Sequence, residues 1–169
     1  MCKWLQGLVI CIIFVFAGCT NQAFKQEQAH TADLIDKIPA SKVQLFLYSL
    51  NPHHERRFDG SLPENSDQLF HGFPILGRAE MTSVQEKEKL LTAFAHGIRK
   101  SNGLEYACFN PRHGIRIINE ATTNDFVICF ECLQVGSFGF DSNQDFLISS
   151  SPKSTFDDFL DEYKIEKAK

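Results

Sequence analysis

The stretch Cys108–Val135, CFNPRHGIRIINEATTNDFVICFECLQV, constrains the fold more than any other part of the chain. It holds three of the six cysteines, a Pro-Arg-His-Gly run and the densest β-branched and aromatic pattern. Leu104–Phe109, Gly114–Asn119 and Asp125–Val135 read as successive strands. Asn110-Pro111-Arg112-His113 and Glu120–Asn124 are short connections rich in turn residues, so the natural pairing is an antiparallel meander. Cys129 and Cys132 lie inside the last of these strands. Three residues of regular strand span about 10 Å and leave the two side chains on opposite faces. A disulfide needs Cα atoms within about 7 Å. This pair therefore closes only if the chain bulges or turns there.

Around this meander the other elements fall into place. Lys42–Leu50 is a strand with Val43, Leu45, Leu47 and Ser49 on one side and Gln44, Phe46, Tyr48 and Leu50 on the other. Both sides are mostly apolar, which suits a central strand. Asn51–Gln68, which carries His53 and His54, reads as a long loop with solvated histidines. Phe70–Ala79 is broken by Gly72, Pro74 and Gly77 and should be a short edge strand at most. Ser83-x-x-Glu86 is a capping box that opens a helix to about Ser101, with Leu90, Leu91, Phe94, Ala95 and Ile98 at helical spacing. A closing helix from about Ser154 would bury Phe156, Phe159, Leu160 and Tyr163. Sixteen phenylalanines against three tyrosines and one tryptophan suggest a Phe-packed interior.

At the N-terminus, Lys3 precedes an apolar run from Leu8 to Ala17 that is shorter than the roughly 20 residues of a spanning helix. It fits a secretory signal. Phe16-Ala17-Gly18-Cys19 resembles the lipobox of bacterial lipoproteins, with Phe16 where the family usually carries an aliphatic residue. The resemblance implies cleavage after Gly18 and acylation of Cys19. Thr20 in place of Asp then implies an outer-membrane lipoprotein facing the periplasm. Residues 1–18 are expected to be a signal peptide, 19–39 a lipidated cysteine with a flexible tether, and 40–166 a single domain. A short helix from Thr31 to Ile38 falls at the end of that tether.

Several chemistries compete for the central stretch. Arg112-His113-Gly114-Ile115-Arg116 resembles the RHGxR motif of histidine phosphatases, which implies a nucleophilic His113 between phosphate-binding Arg112 and Arg116. Ile118 stands where that family often has proline, and no histidine follows His113 to complete the site. Cys129-Phe-Glu-Cys132 has the spacing of a redox dithiol, but its flanks are strand-like and no helix start lies nearby. Cys108, His113, Cys129 and Cys132 together make a Cys₃His donor set with spacings near those of zinc ligands. The structural alternative is buried cysteines, or a Cys108–Cys129 or Cys108–Cys132 disulfide in an oxidising compartment. CFNPRHGIRI followed by ICFEC is also similar to a pattern in bacterial proteins of unassigned function; the likeness covers about Tyr106–Leu133 and implies no activity.

The net charge of −4 and the lack of a dense Lys/Arg cluster argue against a nucleic-acid partner. The expectation is an α+β domain, an antiparallel meander of four to six strands with two main helices packed on one face. Its function is expected to be a non-catalytic binding or structural role in the cell envelope, held to the membrane through the lipid on Cys19. A ligand would meet Arg112, His113 and Arg116. No cofactor is expected. The alternative is zinc binding or thiol-dependent catalysis on the Cys108/His113/Cys129/Cys132 set.

Overall fold

A computed structural model describes residues 22–52, 68–140 and 145–168. The signal sequence, Cys19, the His53-His54 pair and residues 141–144 lie outside the described residues. Residues 22–36 form helix α1, followed by a short 3-10 turn at Ala40–Lys42. Then come β1 (Gln44–Leu50), β2 (Leu69–Phe70), β3 (Phe73–Met81) and helix α2 (Val84–Arg99). The chain ends with β4 (His113–Ile118), β5 (Thr123–Cys129), β6 (Gln134–Phe138), β7 (Phe146–Leu147) and helix α3 (Lys153–Glu162). The class is α+β, and the seven strands form one antiparallel sheet in the order β2-β3-β1-β4-β5-β6-β7.

The strand count exceeds the expected four to six for a physical reason at the cysteines. The single strand expected over Asp125–Val135 divides at residues 130–133, where Leu133 takes a left-handed φ of 60°. β5 and β6 are the arms of the resulting hairpin, in register from Asp125↔Phe138 to Cys129↔Gln134. Leu104–Phe109, expected as a strand, has no regular structure. Its side chains Leu104, Tyr106 and Cys108 are all exposed. The segment is held instead by Tyr106 N–H donating to the Cys132 carbonyl (3.1 Å).

β1 is central, as its two apolar faces demand, pairing with β3 on one side and β4 on the other. β3 is longer than the expected edge fragment. His71 (φ 51°) and Gly72 (φ 89°) supply the two left-handed residues of a tight hairpin turn into it. A register shift between Ser49 and Leu50 leaves Leu76 as an extra residue between Ile75 and Gly77 and absorbs the break.

The strand period separates two cores. On the helix-bearing side lie Leu45 and Leu47 of β1, Ile115 and Ile117 of β4, and Phe126 and Ile128 of β5. They meet Leu90, Phe94 and Ile98 of α2 and Phe156 and Leu160 of α3. Phe94 makes edge contacts with Phe126 and Phe156, and Phe130 with Phe156, so this interior is Phe-packed. The opposite face carries a smaller cluster of Tyr48, Leu50, Phe70, Phe73 and Val127. Ser83 opens α2 with both halves of the capping box, and the Tyr163 hydroxyl beyond α3 donates to Glu86 of that box (2.8 Å).

The tether expected over 19–39 is corrected for its described part. α1 covers 22–36, and Ala32 and Ile35 belong to the helix-side core. Arg99 of α2 pairs with Asp33 (2.7 Å) and also contacts Asp36, fixing α1 against α2. Residues 31–36 of the helix expected over Thr31–Ile38 are the last part of α1, and the Gln-rich composition hid only its extension back to residue 22.

Candidate functional site

His113 is the first residue of β4 and pairs across the ladder with Ser49 of β1. Both side chains fall on the helix side of the sheet, under the start of α3. His113 is 3% exposed and Ser49 fully buried. The His113 ring packs edge-on against Phe130 (5.2 Å) and Phe156 (5.8 Å), which fixes its plane. Its Nε2 lies 2.9 Å from Asp157 Oδ1, while the other Asp157 oxygen accepts from Lys153 Nζ at 2.6 Å. Lys153 and Asp157 are four apart on α3, so one helix turn supplies both groups.

Burial pushes the His113 imidazole below its ordinary pKa, against the opposing pull of Asp157. The hydrogen bond from His113, followed by that from Lys153, holds the Asp157 carboxyl far below the usual carboxylate range, although burial opposes this. At neutral pH the ring is therefore neutral and Nε2–H donates to the ionised Asp157, an assignment made from these contacts. That tautomer makes Nδ1 an acceptor. Nδ1 is buried and has no hydrogen-bond partner, and neither has Ser49 Oγ. Both residues line one cavity of about 270 Å³, shared with Arg112, Lys153, Asp157 and Lys167. Three cations face one carboxylate. Lys167 also bonds Asp161 (2.7 Å), and Arg112 lies 3.0 Å from Glu131.

The expected ligand-binding trio is not one site. His113 and Arg116 are three apart on β4, so they point to opposite faces of the sheet. Arg116 binds Asp125 through both Nε (2.8 Å) and Nη2 (2.6 Å), and His71 Nε2 meets the same carboxylate at 2.7 Å. Gly114, the glycine of the RHGxR-like run, is where the Phe70 ring crosses the sheet: a Cβ there would come within 2.8 Å of that ring. The diverging residues do not form a phosphate-binding array.

Nor are the four metal candidates gathered. Cys129 and Cys132 are joined as a disulfide with Cα atoms 5.1 Å apart, across the turn at residues 130–133. The Cys132 N–H points at Cys129 Sγ (3.1 Å) and the Asn110 N–H at Cys132 Sγ (3.3 Å). Cys108 is a free, exposed thiol, so the Cys108–Cys129 and Cys108–Cys132 bridges are both corrected. Among the described residues no group of three or more His, Cys, Asp or Glu side chains is placed to hold a metal ion.

Ser49, Lys153, Asp157 and Lys167 were missed as site residues. Ser49 had a signal, as the one hydroxyl on an otherwise aliphatic strand face. Lys153 and Asp157 had only i,i+4 spacing at the start of a helix, which is common on solvated surfaces. Among the described residues no helix is long and apolar enough to cross a membrane. Comparison with protein-family models, with curated proteins and with solved structures finds no match for this chain.

Proposed function

We propose that this chain is a lipid-anchored domain of the bacterial cell envelope that binds a small polar ligand in the Ser49–His113–Asp157 cavity. The carrying observation is the pair of buried polar atoms, Ser49 Oγ and His113 Nδ1, that lack partners and belong to two residues of the same cavity wall. A native protein rarely leaves such atoms unpaired, since each costs about 1–3 kcal/mol. A ligand that supplies both bonds recovers that cost on binding. The Ser–His–Asp composition also invites a nucleophilic reading. The lack of a hydrogen bond between Ser49 Oγ and His113 argues against it, because the hydroxyl then has no base to activate it.

The lipid anchor rests on the Phe16–Cys19 resemblance, and a Cys129–Cys132 disulfide fits an oxidising compartment. Both halves are testable in the full chain expressed in a Gram-negative host. Labelled palmitate should enter the wild type and not Cys19→Ser, and equal labelling of the two would remove the anchor. For the binding half, ring-¹⁵N-histidine spectra should show His113 moving on addition of small polar compounds. A His113 signal indifferent to every compound class would leave a purely structural domain.

A further inference from the structure

We infer that the cavity between β1, β4 and α3 takes a small oxyanion, the phosphate or carboxylate group of its ligand, between Ser49, His113 and the ammonium groups of Lys153 and Lys167. This inference rests on the binding role proposed above and names the chemical class of the ligand.

Charge selects against a cation. Among the described residues the only carboxylate lining the cavity is Asp157, and both of its oxygens are already engaged, by His113 and Lys153. Donors remain. An ammonium carries three hydrogens, and Lys153 and Lys167 each direct one at an aspartate. Their other hydrogens, with the Ser49 hydroxyl, can converge on an oxyanion. Lys153 also stands in the first turn of α3, where the helix dipole adds to the attraction for negative charge. Size sets the scale. About 270 Å³ lies just under the range of pockets for drug-sized molecules, so it takes a phosphate or carboxylate group with room for a small remainder of the ligand.

His113 makes the capture proton-linked. Ser49 faces it from β1, Lys153 and Asp157 from α3, Arg112 and Glu131 from the chain before β4 and after β5, and Lys167 from the C-terminal segment. Burial favours the neutral ring, whose Nδ1 can only accept. A carboxylate offers only acceptors, so the ring must gain a proton at Nδ1 to bond it, whereas a phosphate that keeps a P–O–H can donate to the neutral Nδ1. Asp157 already holds Nε2–H and stabilises the resulting imidazolium. Carboxylate binding thus takes up a proton, and its affinity rises as pH falls.

The test is calorimetric titration of the full lipidated chain in detergent with inorganic phosphate, and separately with acetate, which stays ionised between pH 6 and 8. One saturable site is expected. Binding should fall about tenfold in Ser49→Ala, the loss of one bond to a charged group, and at least as much in the half-exposed Lys153→Met. Acetate should bind more tightly at pH 6 than at pH 8. Preference for phosphate or for acetate tells a phosphorylated ligand from a carboxylic one. Anion binding that ignores both substitutions lies elsewhere and overturns the inference. If neither anion binds but uncharged polar compounds move the His113 ¹⁵N signal, the oxyanion class falls and the binding role stands. If nothing moves that signal, both fall together.

Discussion

Ser49 and His113 are partners across the β1–β4 ladder; each carries a buried, unpaired polar atom, and both residues line the same cavity beneath α3. The two atoms have opposite consequences when deleted. The Ser49 hydroxyl gains nothing in the free protein, so Ser49→Ala removes a desolvation cost with little lost packing. The expected outcome is an unfolding free energy equal to the wild type or higher by about 1 kcal/mol, read from urea melts at constant m-value. A loss of 2 kcal/mol or more would mean that the hydroxyl has a structural partner.

Asp157 predicts the acid limb of the stability curve. Its carboxyl titrates far below the ordinary range because His113 and Lys153 bond to the charged form. A depressed folded-state pKa contributes stability that is fully present well above the unfolded value of about 3.9 and lost as pH falls below it. His113 acts in the same direction nearer neutrality: its folded pKa is lowered, so stability falls as pH drops below about 6.5. Urea melts from pH 8 to pH 2.5 should therefore show two successive declines. In Asp157→Asn the decline below pH 4 should shrink. An unchanged profile in that variant would assign the acid loss to other carboxylates.

Much of the fold was legible, and the exceptions share a cause. The capping box at Ser83, the α3 stripe of Phe156, Phe159 and Leu160, and the two-faced β1 are local patterns whose period states what they bury. The turn at residues 130–133 was not legible. Val-Ile-Cys-Phe-Glu-Cys-Leu-Gln-Val is apolar and strand-like throughout, and its break appears as a left-handed φ at Leu133, a residue that seldom adopts one. The site was half legible. His113 stood out by its neighbours, but its partners Ser49 and Asp157 are 64 and 44 positions away and only the strand order joins them. Arg116 was grouped with His113 by closeness in sequence, whereas the strand period sends it to the other face.

That other face yields a prediction of its own. The side chain of Asp125 is only 7% exposed and depends on Arg116 and His71 for its charge. Burial alone would raise its pKa, and those two partners more than reverse the effect. Arg116→Ala should destabilise the domain by about 2 kcal/mol, less than for a fully buried pair because Arg116 itself is a third open to solvent. Arg116→Lys should recover only part of this, since lysine cannot make the two-pronged contact. Oxyanion binding at the His113 cavity should be unaffected, and a matching loss there would show that the two faces are coupled.

Gly114 separates packing from chemistry within the Arg-His-Gly-Ile-Arg run. A Cβ at this position would lie 2.8 Å from Phe70 Cε1 and 2.9 Å from Cδ1. The Phe70 ring is stacked on Tyr48 at 4.3 Å and lies under Arg116, so it has little room to yield. Gly114→Ala should cost about 1–3 kcal/mol through overpacking. Combining it with Phe70→Leu, which trims the obstructing ring, should give less than the sum of the two single losses. Strict additivity would show that the ring does not set the requirement for glycine.

The cysteines give the last test. In the fragment beginning at residue 22, three cysteines remain, and the structure makes Cys108 an exposed thiol and Cys129–Cys132 a buried disulfide. An aromatic disulfide reagent should titrate one thiol rapidly in the native oxidised protein, and none in Cys108→Ser. After denaturation with reductant the count should rise to three. Closing so short a loop stabilises by about 2 kcal/mol in the chain-entropy account, so the double variant Cys129→Ser/Cys132→Ser should lower the urea midpoint accordingly. Reduction also frees the turn that seats Phe130 against His113 and holds Tyr106 N–H on the Cys132 carbonyl. Amide exchange at Tyr106 and Asn110 should accelerate on reduction while the β1–β3 amides stay protected. Three rapidly reacting thiols in the untreated native protein would rule out the disulfide and reopen the question of what the Cys129–Cys132 turn holds.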